Sequence, residues 1–343
     1  MDRINWGVIG SGAIAKIFGR GLADSATGRL AAIASRTQEK ADRFGAEFKV
    51  PRCYGDYESL LADRDLDAVY IATPHPMHAE WAIKAARSGK HVLCEKPLTV
   101  NYREAVEVVK AVQETGVFLM EAFMYRCHPQ TVKLVELLRR KEIGEIRVIS
   151  ASFGFDGGSG LGNRLLDNSL AGGGILDVGC YCVSMSRLVA GLANGRDFAE
   201  PLEVKGCACI GRESRVDEWA VASLRFPGDV TAHLATGVRV RLDNTVRIFG
   251  SGGWISVPTP WQPGLDRGET TRIIVRRGDS APEEIAVTAE QGLYAVEADV
   301  FAGSLLKKQA LFPAMSLEDT LGNMKTLDLW RESIGLRYDF END

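Results

Sequence analysis

A chain of 343 residues is long enough for two domains with separate cores. Apolar residues make up 45% and charged residues 25%, which suits a globular protein and excludes intrinsic disorder. The net charge of −4 argues against a nucleic-acid-binding surface.

The chain enters an apolar run at Ile4, so no signal or transit peptide is expected ahead of the fold. No apolar run is read as approaching the roughly 18 residues of a membrane span, and a soluble, cytoplasmic protein is expected. Strand patterns cover residues 5–10, 30–35, 67–72, 91–94 and 117–121. Helical patterns fill the gaps at 13–23, 38–47, 57–62, 77–88 and 102–115. Buried strands alternating with helices predict a doubly wound parallel sheet of the α/β class.

The pattern changes near residue 123. A helix is predicted over 130–141, a strand over 145–155, a glycine-rich polar loop over 157–174 and a helix over 178–189. From residue 202 to about 287 successive strands are separated by the turn signals Phe226-Pro227-Gly228-Asp229, Gly250-Ser251-Gly252-Gly253 and Arg277-Gly278-Asp279. An open, mainly antiparallel sheet with helices on one face follows. Helices at 293–307 and 317–331 close the chain, the second after a Ser316 cap. Residues 1–123 therefore read as one domain and 124–343 as an α+β second domain.

Seven cysteines (Cys53, Cys94, Cys127, Cys180, Cys182, Cys207 and Cys209) give an odd count without C-x-x-C spacing, in apolar surroundings. They read as buried, reduced thiols. The five histidines lack H-E-x-x-H spacing, and no metal site is predicted.

Between the first strand and first helix stands Gly10-Ser11-Gly12-Ala13-Ile14-Ala15. This is G-x-G-x-x-A: a glycine for the tight turn, one for close approach of backbone to a pyrophosphate, and a small residue for helix–strand packing. At the start of a βαβ pattern it predicts a dinucleotide-binding Rossmann domain. About 20 residues on, where an NAD enzyme usually has a carboxylate for the ribose, the chain has Ser35-Arg36-Thr37. A guanidinium and two hydroxyls would hold a 2′-phosphate, so NADP is favoured over NAD. The alternative is that Arg36 merely opens a solvated helix, with the cofactor choice relaxed.

The strand at 91–94 runs into Cys94-Glu95-Lys96-Pro97, at the strand end where such sheets place ligands. Lysine there is poorly explained by packing. Farther on, Gly172-Gly173-Gly174-Ile175-Leu176-Asp177-Val178-Gly179-Cys180-Tyr181 puts Asp177 and Tyr181 one helical turn apart. The spacing suits a shared site, but equally an N-capping Asp177 and a core Tyr181.

These stretches resemble the glucose–fructose oxidoreductase / inositol dehydrogenase / MocA family along essentially the whole chain. The likeness is strongest toward the dihydrodiol and NADP-dependent xylose dehydrogenase branch. Supporting segments are Val92–Pro97, Phe118-Leu119-Met120-Glu121-Ala122, Arg126 with Pro129, and Tyr181-Cys182-Val183. The resemblance implies catalytic roles for Lys96, Asp177 and Tyr181, with tyrosine where inositol dehydrogenase-like members carry histidine. Tyrosine has an ordinary pKa of about 10, and a nearby lysine would lower it. Tyr181 would then exchange a proton with the substrate hydroxyl, Lys96 would polarise the same oxygen, and Asp177 would hold a neighbouring hydroxyl or orient Lys96.

Thr73 follows the fourth strand and should face the nicotinamide half, where the resemblance also places Pro74 and His78, although a capping histidine explains His78 equally well. Cofactor contacts are expected from Gly10, Ser11, Gly12, Ala13, Ile14, Ser35, Arg36, Thr37, Glu95 and Lys96. Substrate contacts are expected from Arg126, Asn163, Arg164 and Asp177, whereas Trp254 and Trp261 read as packing or interface residues. The implied reaction is hydride exchange with a hydroxyl or hemiacetal carbon of a small polyhydroxylated substrate. An aldose comes first and a cyclic trans-diol second, and a keto-sugar or anhydrosugar reductase would use the same residues. A regulator that binds the cofactor without turnover is the rival from another class. The family implies a homodimer or homotetramer paired through the second sheet.

Overall fold

The strands of the first half are apolar at nearly every position, as strands covered on both faces must be. In the computed structural model, which describes residues 3–158 and 163–341, they form a six-stranded parallel sheet. The strands are β1 (Ile4–Ile9), β2 (Gly28–Ala34), β3 (Arg52–Tyr54), β4 (Ala68–Ile71), β5 (His91–Glu95) and β6 (Leu119–Ala122). Their order is β3-β2-β1-β4-β5-β6, so the topology switches between β1 and β4. Ligands of such sheets sit beyond the strand carboxyl ends at that point. The intervening helices are α1 (Ala13–Asp24), α2 (Gln38–Phe48), α3 (Tyr57–Leu61), α4 (His78–Arg87) and α5 (Tyr102–Thr115). β3 was not expected, because three half-buried residues at a sheet edge carry too little pattern to read.

α6 (Met124–Cys127) and α7 (Pro129–Arg139) lead into the second sheet. Its strands are β7 (Ile146–Gly154), β8 (Glu203–Ile210), β9 (Asp217–Arg225), β10 (Thr231–Gly237), β11 (Val246–Gly250), β12 (Gly253–Val257), β13 (Thr270–Arg277) and β14 (Glu283–Thr288). They stand in the order β14-β13-β12-β11-β7-β10-β9-β8, antiparallel except for the parallel pair β7–β10. The three turn signals fall between β9 and β10, β11 and β12, and β13 and β14. β9 shows the period of two: Ala220, Ala222 and Leu224 face inward, Trp219 and Val221 outward. α7, α8 (Cys180–Ala193) and, after α9 (Leu293–Lys307), α10 (Leu317–Ser333) cover the inner face. Ser316 caps α10 as expected, accepting from the Asp319 amide at 3.2 Å.

α9 crosses back and packs along α1. The helices approach so closely at Gly21 that a Cβ there would lie 2.6 Å from that of Tyr294. Phe301 meets Trp6 with ring centroids 4.8 Å apart. The Asp299 carboxylate accepts from the backbone amides of Ala26 and Thr27, both at 3.0 Å, at the turn between α1 and β2. Residues 293–307, read from sequence as part of the second domain, thus close the core of the first.

Two sequence expectations change here. Within the segment Asn168–Ala193 an 18-residue window is apolar enough to cross a membrane by length and composition, with a mean hydropathy of 1.4, because the average tolerates the serines and charged residues that interrupt the apolar run. Protein buries 94% of that window, the environment of a core helix. Among the cysteines, Cys94, Cys127, Cys180 and Cys182 are buried, whereas Cys207 is exposed on the outer face of β8 and Cys53 and Cys209 are partly exposed. All seven are free thiols. Apolar neighbours do not imply burial on a strand whose alternate residues face solvent.

Candidate active site

Beyond the carboxyl ends of β1, β2, β4 and β5 lies a cleft of about 1010 Å³. Its floor at one end is the glycine loop. Gly10 has φ +99°, and a Cβ on it would lie 2.8 Å from the Ala72 carbonyl oxygen. A Cβ on Gly12 would meet nothing within 4 Å, since it faces open cleft. α1 begins there with neither a side-chain cap nor an acidic residue in its first turn. Its amides are therefore free for an anion. Ser11 and Ser35 are hydrogen-bonded through their hydroxyls at 2.9 Å, tying the loop to the end of β2.

Next to them Arg36, Lys40 and Arg43 line the cleft. Arg43 pairs with Glu39 at 2.8 Å. Among the described residues Arg36 and Lys40 have no ion-pair partner, which leaves two free cations where a 2′-phosphate would sit. Lys40 and Arg43 were missed from the sequence, although they stand three apart on one face of α2, which starts just beyond Arg36. Thr37 is not among the lining residues. Its hydroxyl caps α2 instead, accepting from the Lys40 amide at 3.4 Å.

Ser11, Gly12, Ala13, Ile14, Thr73, Pro74, His78, Glu95 and Lys96 also line the cleft. His78 does not cap its helix. Its ring lies 2.8 Å from both the Pro97 and Thr73 carbonyl oxygens, clamping together the segments after β4 and β5. Burial lowers its pKa to about 4 despite those two acceptors, so only one of them receives an N–H. Glu95 is buried and accepts from the Tyr70 hydroxyl and from the Lys96 amide, the latter at 3.2 Å. Burial raises its pKa, against the attraction of Lys96.

The opposite end holds Lys96, Asp177 and Tyr181 together. Asp177 is no N-cap. It lies within a π-helical turn, Ile175–Gly179, ahead of α8, and its backbone carbonyl accepts from Lys96 Nζ at 2.8 Å. The lysine is thus oriented by the Asp177 main chain, while the carboxylate pairs with Arg164 at 2.9 Å. Burial opposes ionisation of Asp177, but Lys96 and Arg164 outweigh it and hold its pKa below the ordinary value.

Tyr181 is caged by Phe123, Tyr125, Phe153 and Trp261, at centroid distances of 5.2, 5.7, 5.2 and 5.9 Å. Its hydroxyl donates to Met124 Sδ at 3.4 Å, and the Lys96 ammonium lies over the ring face, 5.1 Å from its centroid. The expected lowering of the Tyr181 pKa by Lys96 is not found. Burial, with Tyr294, Glu95, Cys180 and Asp177 nearby, raises it well above the ordinary value.

Two candidate substrate residues lie elsewhere. Arg126 is 1% exposed and donates to the Pro313 carbonyl, the Ser184 hydroxyl and Asp319 at 2.6, 2.9 and 2.7 Å. It is a buried structural cation, and nothing in its local sequence distinguishes that role. Asn163 is not a lining residue: it caps the turn at 164–166 and donates to the Gly157 carbonyl at 3.0 Å. Residues 159–162 of the predicted 157–174 loop lie outside the described residues. Trp261 packs as expected, stacked on Phe153 and donating to the Ser152 carbonyl at 2.8 Å. Sequence reasoning missed His75, Met124, Phe153, Phe155, Asn244, Gln262 and Tyr294, which chain-distant elements bring to the cleft.

Residues 4–123 match the family model described as "Oxidoreductase family, NAD-binding Rossmann fold", and residues 131–256 match the "GFO/IDH/MocA C-terminal domain". The chain is 32% identical to trans-1,2-dihydrobenzene-1,2-diol dehydrogenase of Xenopus tropicalis, over 97% of this chain and 98% of that protein. It is 44% identical to D-xylose 1-dehydrogenase (NADP(+)) 2 of Haloferax volcanii over 55% of this chain and 58% of that protein. A 3-ketoreductase from Actinomadura kijaniata, solved with NADP and TDP-benzene, superimposes with a TM-score of 0.86 at 29% identity, covering 97% of this chain and 98% of that one.

Proposed function

The chain belongs to the GFO/IDH/MocA oxidoreductase family and has an NAD-binding Rossmann fold, and from this premise we propose that it exchanges hydride between NADP and a CH–OH carbon of a small polyhydroxylated substrate. One observation carries the reading. Lys96, Asp177 and Tyr181 converge at one end of a cleft whose other end presents an uncapped helix N-terminus and two cations that have no ion-pair partner among the described residues. Bound there, the nicotinamide cofactor supplies the hydride acceptor or donor. Gly10, Gly12 and the α1 amides fit its pyrophosphate, and Arg36 with Lys40 fits a 2′-phosphate.

Tyr181 is the acid–base group and Lys96 the cation that polarises the reacting oxygen. Their hydroxyl and ammonium diverge in the free cleft, and hydrogen bonds of this kind tighten around substrate. An aldose oxidised at its anomeric carbon is the leading substrate and a cyclic trans-diol the second, supported by the names of the two relatives above. The raised pKa of Tyr181 also favours a second reading, reduction of a keto-sugar, since a neutral phenol is a ready proton donor.

NADPH absorbance followed with aldoses, cyclic diols and keto-sugars, in both directions, tests the reading. Cofactor binding without turnover of any compound would make the protein a regulator instead. In the same assay Arg36→Ala is expected to weaken NADP binding about 10- to 100-fold with little change for NAD, the scale of a charged phosphate contact. Equal effects on both cofactors would show that Arg36 does not read the phosphate.

We further propose a homodimer through the open face of the second sheet. Val148 and Phe249, paired across β7 and β11, and Trp219 and Val221 on β9 are exposed apolar residues on the face that the helices leave uncovered. Light scattering should give at least a dimer, and Trp219→Lys should shift it toward monomer. A monomeric native protein would rule the interface out.

A further inference from the structure

His75 follows β4 and lines the cleft, yet it plays no part in the mechanism above. It is 5% exposed. Its Nδ1 lies 3.4 Å from the Ala171 carbonyl oxygen, which can only accept, so Nδ1 carries the hydrogen and Nε2 is left as an acceptor. Burial lowers the pKa of His75 well below its ordinary value, and Arg164 and Lys96 nearby add to the effect against the pull of Asp177, so the ring is neutral.

Nε2 lies 4.0 Å from Asp177 Oδ1. Neither Nε2 nor the second carboxylate oxygen, Oδ2, hydrogen-bonds to another described residue, and neither is sealed from the cleft. An acceptor pair of this kind is costly when it faces nothing, and it is suited to a donor that arrives with the substrate. Lys96 Nζ reaches the same residue from the other side, 2.8 Å from the Asp177 carbonyl. A donor, Lys96, thus stands beside acceptors, His75 and the Asp177 carboxylate, in the cleft that Tyr181 also lines.

We propose that His75 is a specificity-determining residue: its Nε2, with the Asp177 carboxylate, receives the hydroxyl next to the carbon that reacts. The substrate is therefore a vicinal diol or an aldose bearing a hydroxyl beside its anomeric carbon. A lone alcohol leaves both acceptors unpaired and is selected against. This inference rests on the oxidoreductase reading. It goes beyond that reading by assigning the second contact and its chemistry.

The test compares probe pairs that differ by one hydroxyl: trans-cyclohexanediol against cyclohexanol, and glucose against the deoxyglucose lacking the hydroxyl beside the anomeric carbon. With NADP and the native enzyme, kcat/KM is expected to favour the hydroxylated member by about 10- to 100-fold. His75→Leu should remove most of that preference by lowering the hydroxylated member's kcat/KM far more than its partner's. His75→Gln, which keeps a carbonyl acceptor, should recover part of it.

A merely structural histidine would depress both members equally, and that result would overturn the proposal, as would a native enzyme without preference. A second arm needs no turnover: quenching of bound NADPH fluorescence by glycerol against propanol, in native protein and both variants. Turnover of neither pair by native protein would sink the oxidoreductase reading alone. Discrimination between glycerol and propanol that disappears in His75→Leu would still support the role of His75, and its persistence there would refute it.

Discussion

Lys96→Met is expected to lower kcat by about 100- to 1000-fold while the dissociation constant for NADP changes only several-fold. Removal of one oriented donor from a water-poor site costs on this scale. Methionine keeps the length and apolar stem of lysine, so the side chain still fills the space over the Tyr181 ring. What it loses is the charge that the Asp177 carbonyl holds in place at 2.8 Å. Steady-state kinetics, with cofactor titration by fluorescence and a melting curve, separates this outcome from unfolding. Native-like kcat in a folded variant would remove Lys96 from the mechanism.

Tyr181→Phe should be comparably damaging, by about 100- to 10,000-fold, the range for a general acid or base. The aromatic cage accepts phenylalanine without rearrangement, and the hydroxyl gives up only a weak contact with Met124 Sδ. The loss therefore reports proton transfer and not packing.

A pH profile makes the case sharper. Because burial raises the Tyr181 pKa well above its ordinary value, the phenolate needed for oxidation becomes more abundant as pH rises. The oxidation rate of the native enzyme should climb through neutral pH toward alkaline pH, whereas reduction, which needs the neutral phenol, should not climb with it. The phenylalanine variant should lose the upward slope. A slope that survives the substitution would assign the proton to another group.

Which features were legible depended on how local their causes were. The alternation of apolar strands and amphipathic helices through residue 121 is written in neighbouring residues, and so were the Gly10–Ala15 loop and the turns of the second sheet. β3 was too short to show a period. Arg126 looked like a substrate contact because a charged residue draws attention, yet its partner Asp319 stands in α10, far along the chain. Lys40 and Arg43 were readable from helical spacing and were passed over. His75 and the aromatic wall around Tyr181 could not be read, because only the closing of two sheets against one cleft gives those positions a shared purpose. The hydroxyl of Tyr181 was expected beside Lys96, but its direction is set by the cage of rings, which periodicity does not reveal.

The return of α9 to the first sheet bears on how the protein is made and how it could be reshuffled. On the ribosome, residues up to 123 emerge long before residues 293–307, so Trp6 and the α1–β2 turn wait for partners that are synthesised late. The nascent first half must be kept from sticking to its neighbours throughout that interval. For the same reason, recombination that joins this nucleotide-binding half to a foreign second half carries α9 along or leaves the core open. A graft that cut at residue 123 would separate the lock from its key.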